Sequence, residues 1–323
     1  MLSRALRRWV KRNSLREQDV AASRAMTDRV PFGAKLVKGW RIRREAGAAL
    51  LGEWTEPEAV DHPARGRCIL YLHGGAYIAM AAWSYRTITS RLATWSDTRV
   101  FALDYRLAPE HPCPAALDDA VAAYRALVRG GMPAGRIVVV GDSAGGGLAL
   151  ALLVALRDAG DALPAGAVLM SPWTDLAATG QSLVDNNESD SMFYGSWVAA
   201  VATHYLGDTP ATNPLASPVY ADLTGLPPLL IQVSGSEVLL DDSRRVAANA
   251  RRAGVTVTER IWPGLPHVWQ FFAVILPEGR AALREAADFV RARCAAPMEA
   301  VASPAVVRGD RADARLPELP LSE

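Results

Sequence analysis

Short runs of apolar residues recur along the chain from residue 68 onward, and longer stretches of helical periodicity separate them. The runs are CILYLH (68–73), VFALDY (100–105), IVVVGD (137–142), AVLMSP (167–172), LLIQVS (229–234) and VTVTERI (255–261). Continuous apolar runs of this length, alternating with helices, are typical of parallel strands that helices cover on both faces. The pattern therefore predicts an α/β domain with a mostly parallel sheet.

Three segments depart from this alternation and indicate how the chain is organised. Residues 1–45 place apolar positions at helical spacing among basic ones, which predicts an N-terminal helical cap segment. Residues 46–295 then form the α/β domain, and within it residues 176–227 lack a strand pattern and predict a cap insertion over the sheet. Residues 296–323 mix proline, alanine and charges without periodicity, so we expect a disordered tail.

Composition narrows the classes of protein that fit. The chain of 323 residues has a net charge of +1, which gives no reason to expect a nucleic-acid partner. It has no apolar stretch long enough for an integral membrane segment or a signal peptide. Its three cysteines match no disulfide framework and no metal-ligand spacing. We therefore expect a cytoplasmic protein that holds no metal.

The most specific local signal is Gly-Asp-Ser-Ala-Gly at residues 141–145, which fits G-x-S-x-G. It follows an apolar run and opens an alanine-rich helical stretch. In that context the motif predicts a tight strand-to-helix turn that exposes a nucleophilic serine at the edge of the sheet. The helix N-terminus favours the negative charge of acyl transfer. A glycine-rich turn that binds phosphate, or only closes tightly, is the alternative. Ser143 is the candidate nucleophile.

A serine nucleophile needs a base, and on this fold the base comes last in the chain, after an acid. Two histidines follow Ser143. His204 belongs to the helical, aromatic part of the predicted insertion, where a packed histidine is an ordinary residue. His267 lies in a loop directly after the last predicted strand. That position favours His267 as the base, although a loop histidine bonded to a backbone carbonyl is the simpler alternative.

The acid that orients the base should follow the preceding strand, in the stretch SEVLLDD (236–242). Asp241 and Asp242 come at the start of the next predicted helix, where first-turn carboxylates complement the helix dipole. Glu237 comes directly off the strand end and has no such explanation. Glu237 is therefore the candidate acid, with Asp241 as the second choice.

Backbone donors for an oxyanion are the fourth component. His-Gly-Gly-Ala at residues 73–76 stands at the end of a predicted strand, and adjacent glycines let backbone N–H groups approach a tetrahedral intermediate. A tight Gly-Gly turn explains this loop equally well when it is taken alone. Together with the motifs above, it predicts Gly74, Gly75 and Ala144 as the oxyanion donors.

These motifs together resemble the hormone-sensitive-lipase family of α/β hydrolases, the bacterial carboxylesterases with an HGG loop. The matching segments are HGGAY (73–77), DYRLAPEHPCPAALDD (104–119), GDSAGG (141–146), SEVLLDD (236–242) and PHVW (266–269). The resemblance implies a mostly parallel eight-stranded sheet with helices on both faces and a small helical cap. Two positions depart from the family pattern: Glu237 stands where aspartate is common, and Ala76 where glycine is commoner.

The resemblance further implies a serine carboxylesterase that hydrolyses small to medium apolar esters, with lactones as a further class, through an acyl-enzyme and without a cofactor. Members of the family are often dimers, so a homodimer is among the expected assemblies. Aromatic residues near the motifs or in the cap are candidates for the substrate pocket, although packing explains each of them as well. They are Tyr77, Trp83, Phe193, Tyr194, Trp197 and Trp269.

Three other functions fit parts of the sequence. An amidase or peptidase uses the same triad. A small-molecule receptor of this fold resembles the family without the catalytic histidine, whereas His267 is present here. A membrane-associated lipase would use the basic, amphipathic N-terminal helix to lie on a lipid surface.

Overall fold

The computed structural model describes residues 20–27 and 36–295. Most of the predicted helical cap segment before residue 36 and the predicted tail, 296–323, lie outside these residues. Within the described part, eight strands form one sheet. They are β1 (Trp40–Ala46), β2 (Leu51–Pro57), β3 (Cys68–Leu72), β4 (Arg99–Leu103), β5 (Ile137–Asp142), β6 (Gly166–Met170), β7 (Leu229–Ser234) and β8 (Val257–Trp262).

The sheet has the order β1-β2-β4-β3-β5-β6-β7-β8. Strands β3 to β8 pair in parallel, and β1 and β2 add an antiparallel hairpin at one edge. The mostly parallel eight-stranded sheet confirms the predicted fold class. All six apolar runs that the sequence singles out are strands, with boundaries within two residues of those predicted.

Helices cover both faces of this sheet. The described helices are α1 (Val20–Thr27), α2 (Arg86–Ser96), α3 (Ala115–Arg129), α4 (Ala144–Asp158), α5 (Ser182–Asp185), α6 (Gly195–Leu206), α7 (Leu240–Arg252) and α8 (Pro277–Ala295), with 3₁₀ turns at Pro63–Gly66, Ala82–Tyr85, Ala134–Arg136, Pro218–Tyr220 and Trp269–Phe272. Helices α3, α4 and α7 pack on one face, and α2 and α8 on the other. None of the described helices combines the length and the apolar character needed to cross a membrane.

Alternation along β3 shows why its run is continuously apolar. Leu70 and Leu72 belong to the core on the α4 face, whereas Ile69 and Tyr71 belong to the core on the α8 face. Because successive side chains of a strand point to opposite faces, a strand covered on both faces has no position left for a solvated residue.

The hairpin β1–β2 corrects one prediction. Residues 40–46 form a strand, so the helical prediction for residues 1–45 is wrong at its end. The chain there alternates Trp40 and Ile42 with charged residues, which is a strand period and not a helical one. The charges pair across the hairpin, since Arg41 Nη2 and Arg43 Nε lie 2.9 and 3.1 Å from Glu56 Oε1.

Between β6 and β7 the described chain has no strand. It contains α5, α6 and the 3₁₀ turn Pro218–Tyr220, and this stretch corresponds to the segment predicted as a cap insertion. Its first residues lie along the loop that follows β7, where Ser182 Oγ donates to Val238 O at 2.7 Å. The insertion therefore reaches the carboxyl edge of the sheet, where ligands bind in open α/β folds.

Candidate active site

Ser143 stands at the turn between β5 and α4. Its φ of +52° and ψ of −124° lie outside the regions that side-chain-bearing residues usually occupy. The turn is held from both sides. The Ser143 N–H donates to Met170 O at 2.9 Å, and the Trp173 N–H donates to Ser143 O at 2.8 Å. The half-buried side chain consequently stands above the carboxyl edge of the sheet, at the N-terminus of a helix.

The glycines around Ser143 allow the turn to pack against its neighbours. A Cβ at Gly145 would lie 2.0 Å from Leu72 O, and one at Gly141 would lie 2.1 Å from Gly145 O. Neither distance is compatible with a carbon atom, and both obstacles are backbone, one in β3 and the other in α4. The small residues of the motif are therefore required by the packing of the turn.

His267 and Glu237 form a buried pair. His267 Nδ1 lies 2.6 Å from Glu237 Oε2. The other carboxylate oxygen, Oε1, accepts hydrogen bonds from Ser171 Oγ at 2.8 Å and from the Ser234 N–H at 2.7 Å. The Ser171 hydroxyl also accepts from the Val268 N–H at 3.3 Å, so it joins the acid to the loop of the histidine. The glutamate is thus held in one orientation with one oxygen on the imidazole.

The electrostatic surroundings of His267 favour its protonated form. Burial lowers the pKa of His267, but the negative charge and hydrogen bond of Glu237, with the charges of Asp190 and Asp142, raise it overall above its usual value. His267 Nε2 is buried and has no hydrogen-bond partner in the described part of the chain. This nitrogen can therefore take a proton, while Nδ1 is engaged with Glu237.

The two alternative acids are engaged elsewhere. Both lie in the first turn of α7, as predicted, but neither caps the free N–H groups of that helix. Asp241 Oδ2 accepts from the Ser182 N–H at 2.9 Å. Asp242 is buried and its Oδ2 accepts from the N–H groups of Thr174 and Asp175 at 2.7 and 2.8 Å. Asp241 thus binds the cap insertion, and Asp242 binds the loop after β6. The alternative base, His204, lies in the last turn of α6.

The glycine loop after β3 departs from the prediction at one position. The Gly74 N–H donates to Asp142 Oδ1 at 3.1 Å. A donor already bonded to a carboxylate is not free for an oxyanion, so the prediction of Gly74 as an oxyanion donor is wrong. The next two residues, Gly75 and Ala76, have φ values of +104° and +55°. In the described part of the chain no acceptor is found for their N–H groups or for that of Ala144.

Asp142 is a site residue that the motif alone does not reveal. Its buried Oδ1 accepts from Tyr71 Oη at 2.6 Å as well as from the Gly74 N–H. Burial is the main cause that raises the pKa of Asp142 to about 6, against the hydrogen bonds that lower it. Asp142 thereby ties the serine turn to the glycine loop. The sequence does not indicate this role, because Asp142 is at the first x of G-x-S-x-G, where the motif allows any residue.

Two of the predicted pocket residues are enclosed by the core. Trp269 is fully buried, and its Nε1 donates to Glu278 O at 3.3 Å. Tyr77 is also buried and stacks on Tyr205 with 3.7 Å between ring centroids. A role of these two rings in the substrate pocket stays a prediction.

Of the other aromatic candidates, Phe193 reaches the site. Its ring meets that of His267 edge-on, with centroids 5.0 Å apart and an interplanar angle of 74°. Tyr194 packs against Trp197 at the start of α6, with 4.6 Å between centroids. Trp83 is half-buried in the 3₁₀ turn Ala82–Tyr85. The structure therefore brings one aromatic ring of the cap insertion onto the candidate base.

Comparison with known proteins gives one consistent result. A family model described as the α/β hydrolase fold matches residues 69–271. An acetyl-hydrolase of Streptomyces hygroscopicus is 48% identical over 239 residues, which are 74% of this chain and 79% of that protein. An esterase of Acinetobacter venetianus is 38% identical over 222 residues, 68% of this chain and 73% of its own. The crystal structure of an esterase from the bacterial hormone-sensitive lipase family superposes with a TM-score of 0.81 at 40% identity, over 90% of this chain and 98% of that one.

Proposed function

Since the chain belongs to the hormone-sensitive-lipase family of α/β hydrolases and is a carboxylic ester hydrolase, we propose that Ser143, Glu237 and His267 are its catalytic triad. The observation that carries this proposal is the buried pair in which His267 Nδ1 lies 2.6 Å from Glu237 Oε2. The pair leaves Nε2 as the nitrogen able to accept a proton, and Ser143 stands on a strained turn at the same edge of the sheet. This is the arrangement that serine acyl transfer requires.

The reaction proceeds in two steps. Ser143 Oγ attacks the ester carbonyl carbon while its proton passes to His267 Nε2. Glu237 keeps the tautomer with hydrogen on Nδ1 and stabilises the imidazolium. The tetrahedral intermediate expels the alcohol, which takes the proton from Nε2, and leaves an acyl-enzyme. Water then attacks the acyl carbon, gives a proton to His267 and releases the acid, while Ser143 recovers its proton.

The oxyanion is held by backbone N–H groups. We assign this role to Gly75, Ala76 and Ala144, because Gly74 donates to Asp142 instead. Such donors act most strongly when they are fixed before the reaction. The Asp142 bond fixes the glycine loop against the serine turn. The methyl group of Ala76 stands beside these donors and should restrict bulky substrates more than a glycine would.

The proposed substrates are small to medium apolar esters, with acetyl esters at the short end and lactones as a further class. The relative named an acetyl-hydrolase supports short acyl chains. The cap insertion, whose longest described helix is α6 with 12 residues, also favours small substrates. A cytoplasmic location and a homodimer stay predictions. The cytoplasmic location is supported by the cysteines, since Cys68, Cys113 and Cys294 are all free, as expected in a reducing compartment.

The test is a panel of p-nitrophenyl esters of increasing chain length, with a lactone series beside it. Ser143→Ala should lower kcat by about 10⁴- to 10⁶-fold with the fold intact by circular dichroism, because the nucleophile is lost while the binding site remains. Hydrolysis at the wild-type rate by this variant would contradict the proposal. The rates of hydrolysis of matched esters and anilides distinguish an esterase from an amidase that uses the same residues.

A further inference from the structure

The first part of the cap insertion, residues 182–190, forms a strap along the acid loop, residues 235–241. Side chains of one segment meet the backbone of the other throughout. Ser182 Oγ donates to Val238 O at 2.7 Å, Asn186 Nδ2 donates to Gly235 O at 3.1 Å and to Glu237 O at 2.7 Å, Ser189 Oγ donates to Ser236 O at 3.1 Å, and the Val238 N–H donates to Asp190 Oδ2 at 2.9 Å. The strap therefore determines the path of the backbone that carries Glu237.

Asp190 is the buried end of this strap. Only 1% of the residue is exposed, and within the described chain no arginine or lysine forms an ion pair with it. Oδ2 accepts the N–H of Val238, and Oδ1 accepts the N–H groups of Met192 and Phe193 at 2.7 and 2.9 Å. A buried carboxylate without a cation is costly and needs such donors. Because the three donors use both oxygens as acceptors, asparagine cannot replace it fully.

Two routes lead from Asp190 to the base. Through Val238 it fixes the residue next to Glu237, and through the Phe193 N–H it fixes the ring that lies edge-on against His267. Its charge also acts directly on the imidazole. The charged groups that act on His267 are Glu237 from the acid loop, Asp190 from the cap insertion and Asp142 from the serine turn.

We propose that Asp190 is a positioning residue for the base and the acid, and that its charge stabilises the imidazolium that forms when Ser143 loses its proton. The proposal rests on the triad proposed above. It assigns to the cap insertion a part in catalysis that is separate from covering the substrate. The cap and the chemistry are then coupled through one buried carboxylate.

Two variants separate this role from a general effect of charge. Asp190→Asn removes the negative charge and replaces one of the two acceptor oxygens with an NH₂ group, so that the N–H groups of Val238, Met192 and Phe193 cannot all keep their acceptor. Asp185→Asn is the matched control, because Asp185 is an exposed acid on the same strap whose Oδ1 accepts from Gln181 Nε2. Both substitutions remove one negative charge from the segment.

For Asp190→Asn we expect kcat for p-nitrophenyl acetate to fall by about 10- to 100-fold, a part of what a general base contributes, with a smaller change in KM. The acidic limb of the kcat/KM profile should move to lower pH, because an imidazole that loses a neighbouring negative charge loses its proton more readily. Asp185→Asn should change neither quantity. A folded Asp190→Asn enzyme with wild-type kcat and an unmoved acidic limb would overturn the proposal.

A fluorophosphonate that labels reactive serines separates this proposal from that of the triad. Absence of stoichiometric labelling of Ser143 in the wild type would contradict the triad itself. Slower labelling of Asp190→Asn, with its pH dependence moved to lower pH, supports the role of Asp190. If Asp190→Asn does not fold, Phe193→Leu tests the second route: kcat should fall severalfold with the acidic limb in place, and an unchanged kcat would overturn the positioning role.

Discussion

Glu237 occupies a position where the family pattern has an aspartate, and its carboxylate turns back toward its own strand. Oε1 accepts the N–H of Ser234, three residues earlier, while Oε2 lies against His267. The longer side chain thus spans from the end of β7 to the imidazole. The loop accommodates the additional methylene because the side chain folds back toward β7, where Oε1 accepts the Ser234 N–H. Ser171 Oγ is a second donor to Oε1 and fixes the rotation of the carboxylate.

Glu237→Gln should lower kcat by about 10⁴-fold, because an amide can donate to Nδ1 and so favour the wrong tautomer of His267. Glu237→Asp keeps the charge, but one oxygen is withdrawn from either Ser234 or His267, and we expect a smaller loss. Asp241→Asn is the control, since that carboxylate bonds to the cap insertion. Kinetics on p-nitrophenyl esters measure all three. Loss of turnover in folded Asp241→Asn alone would refute the assignment.

At this scale the sequence indicates which residues react but not which donors are free. G-x-S-x-G, the order of the motifs and the position after β8 select Ser143 and His267. The loop HGGA offers several adjacent N–H groups, and only the position of the Asp142 carboxylate decides that Gly74 is already bonded. The burial of Tyr77 and Trp269 also depends on packing between distant segments, which local patterns do not contain.

At the scale of elements, burial on both faces decides which strands can be predicted. The parallel strands β3 to β7 are almost continuously apolar, because helices cover this part of the sheet on both sides, whereas the edge strand β8 is only partly buried. β1 and β2 form an antiparallel hairpin with β1 at the edge of the sheet, and charged residues of the two strands form ion pairs, such as Arg41 with Glu56. β1 contains four charged residues among its seven, and only the period of two distinguishes it from an exposed helix.

The junction of α7 with the loop after β6 predicts a dependence of stability on pH. Burial is the main cause that raises the pKa of Asp242 from its ordinary 3.8 to about 7, and the charge of Asp175 adds to it, against hydrogen bonds from Thr174 and Asp175. Between these pH values the folded protein binds more protons at Asp242 than the unfolded chain does. Its contribution to the free energy of unfolding therefore falls as pH rises through that window, by up to about 1.4 kcal/mol per pH unit.

Asp242→Asn should abolish this contribution. Its amide oxygen can still accept the N–H groups of Thr174 and Asp175, so the loop keeps its bonds. Urea unfolding between pH 4 and pH 7 should show that the stability of the variant, relative to wild type, increases with pH. Asp241→Asn serves as the comparison on the same helix. A constant difference between Asp242→Asn and wild type across the window would contradict the prediction.

At the scale of the whole molecule, the parts of the site belong to regions of different stability. Ser143 follows β5, which pairs with strands on both sides, and precedes α4, in which 12 of 15 residues are buried. His267 follows β8, the last strand of the sheet, whose side chains are only partly covered. Local opening costs less at such an edge than in the centre of a sheet.

Heat should therefore inactivate the enzyme before it unfolds it. Amide hydrogens of β8 and of the loop after it should exchange with solvent faster than those of β5 and α4. Activity should decline at temperatures where circular dichroism is still native, and it should return on cooling. Coincident loss of activity and structure, with uniform exchange across the sheet, would argue against this. The temperature range in which the enzyme is active is then set by local opening around His267 at the edge of the sheet, whereas Ser143 stays in place until the whole protein unfolds.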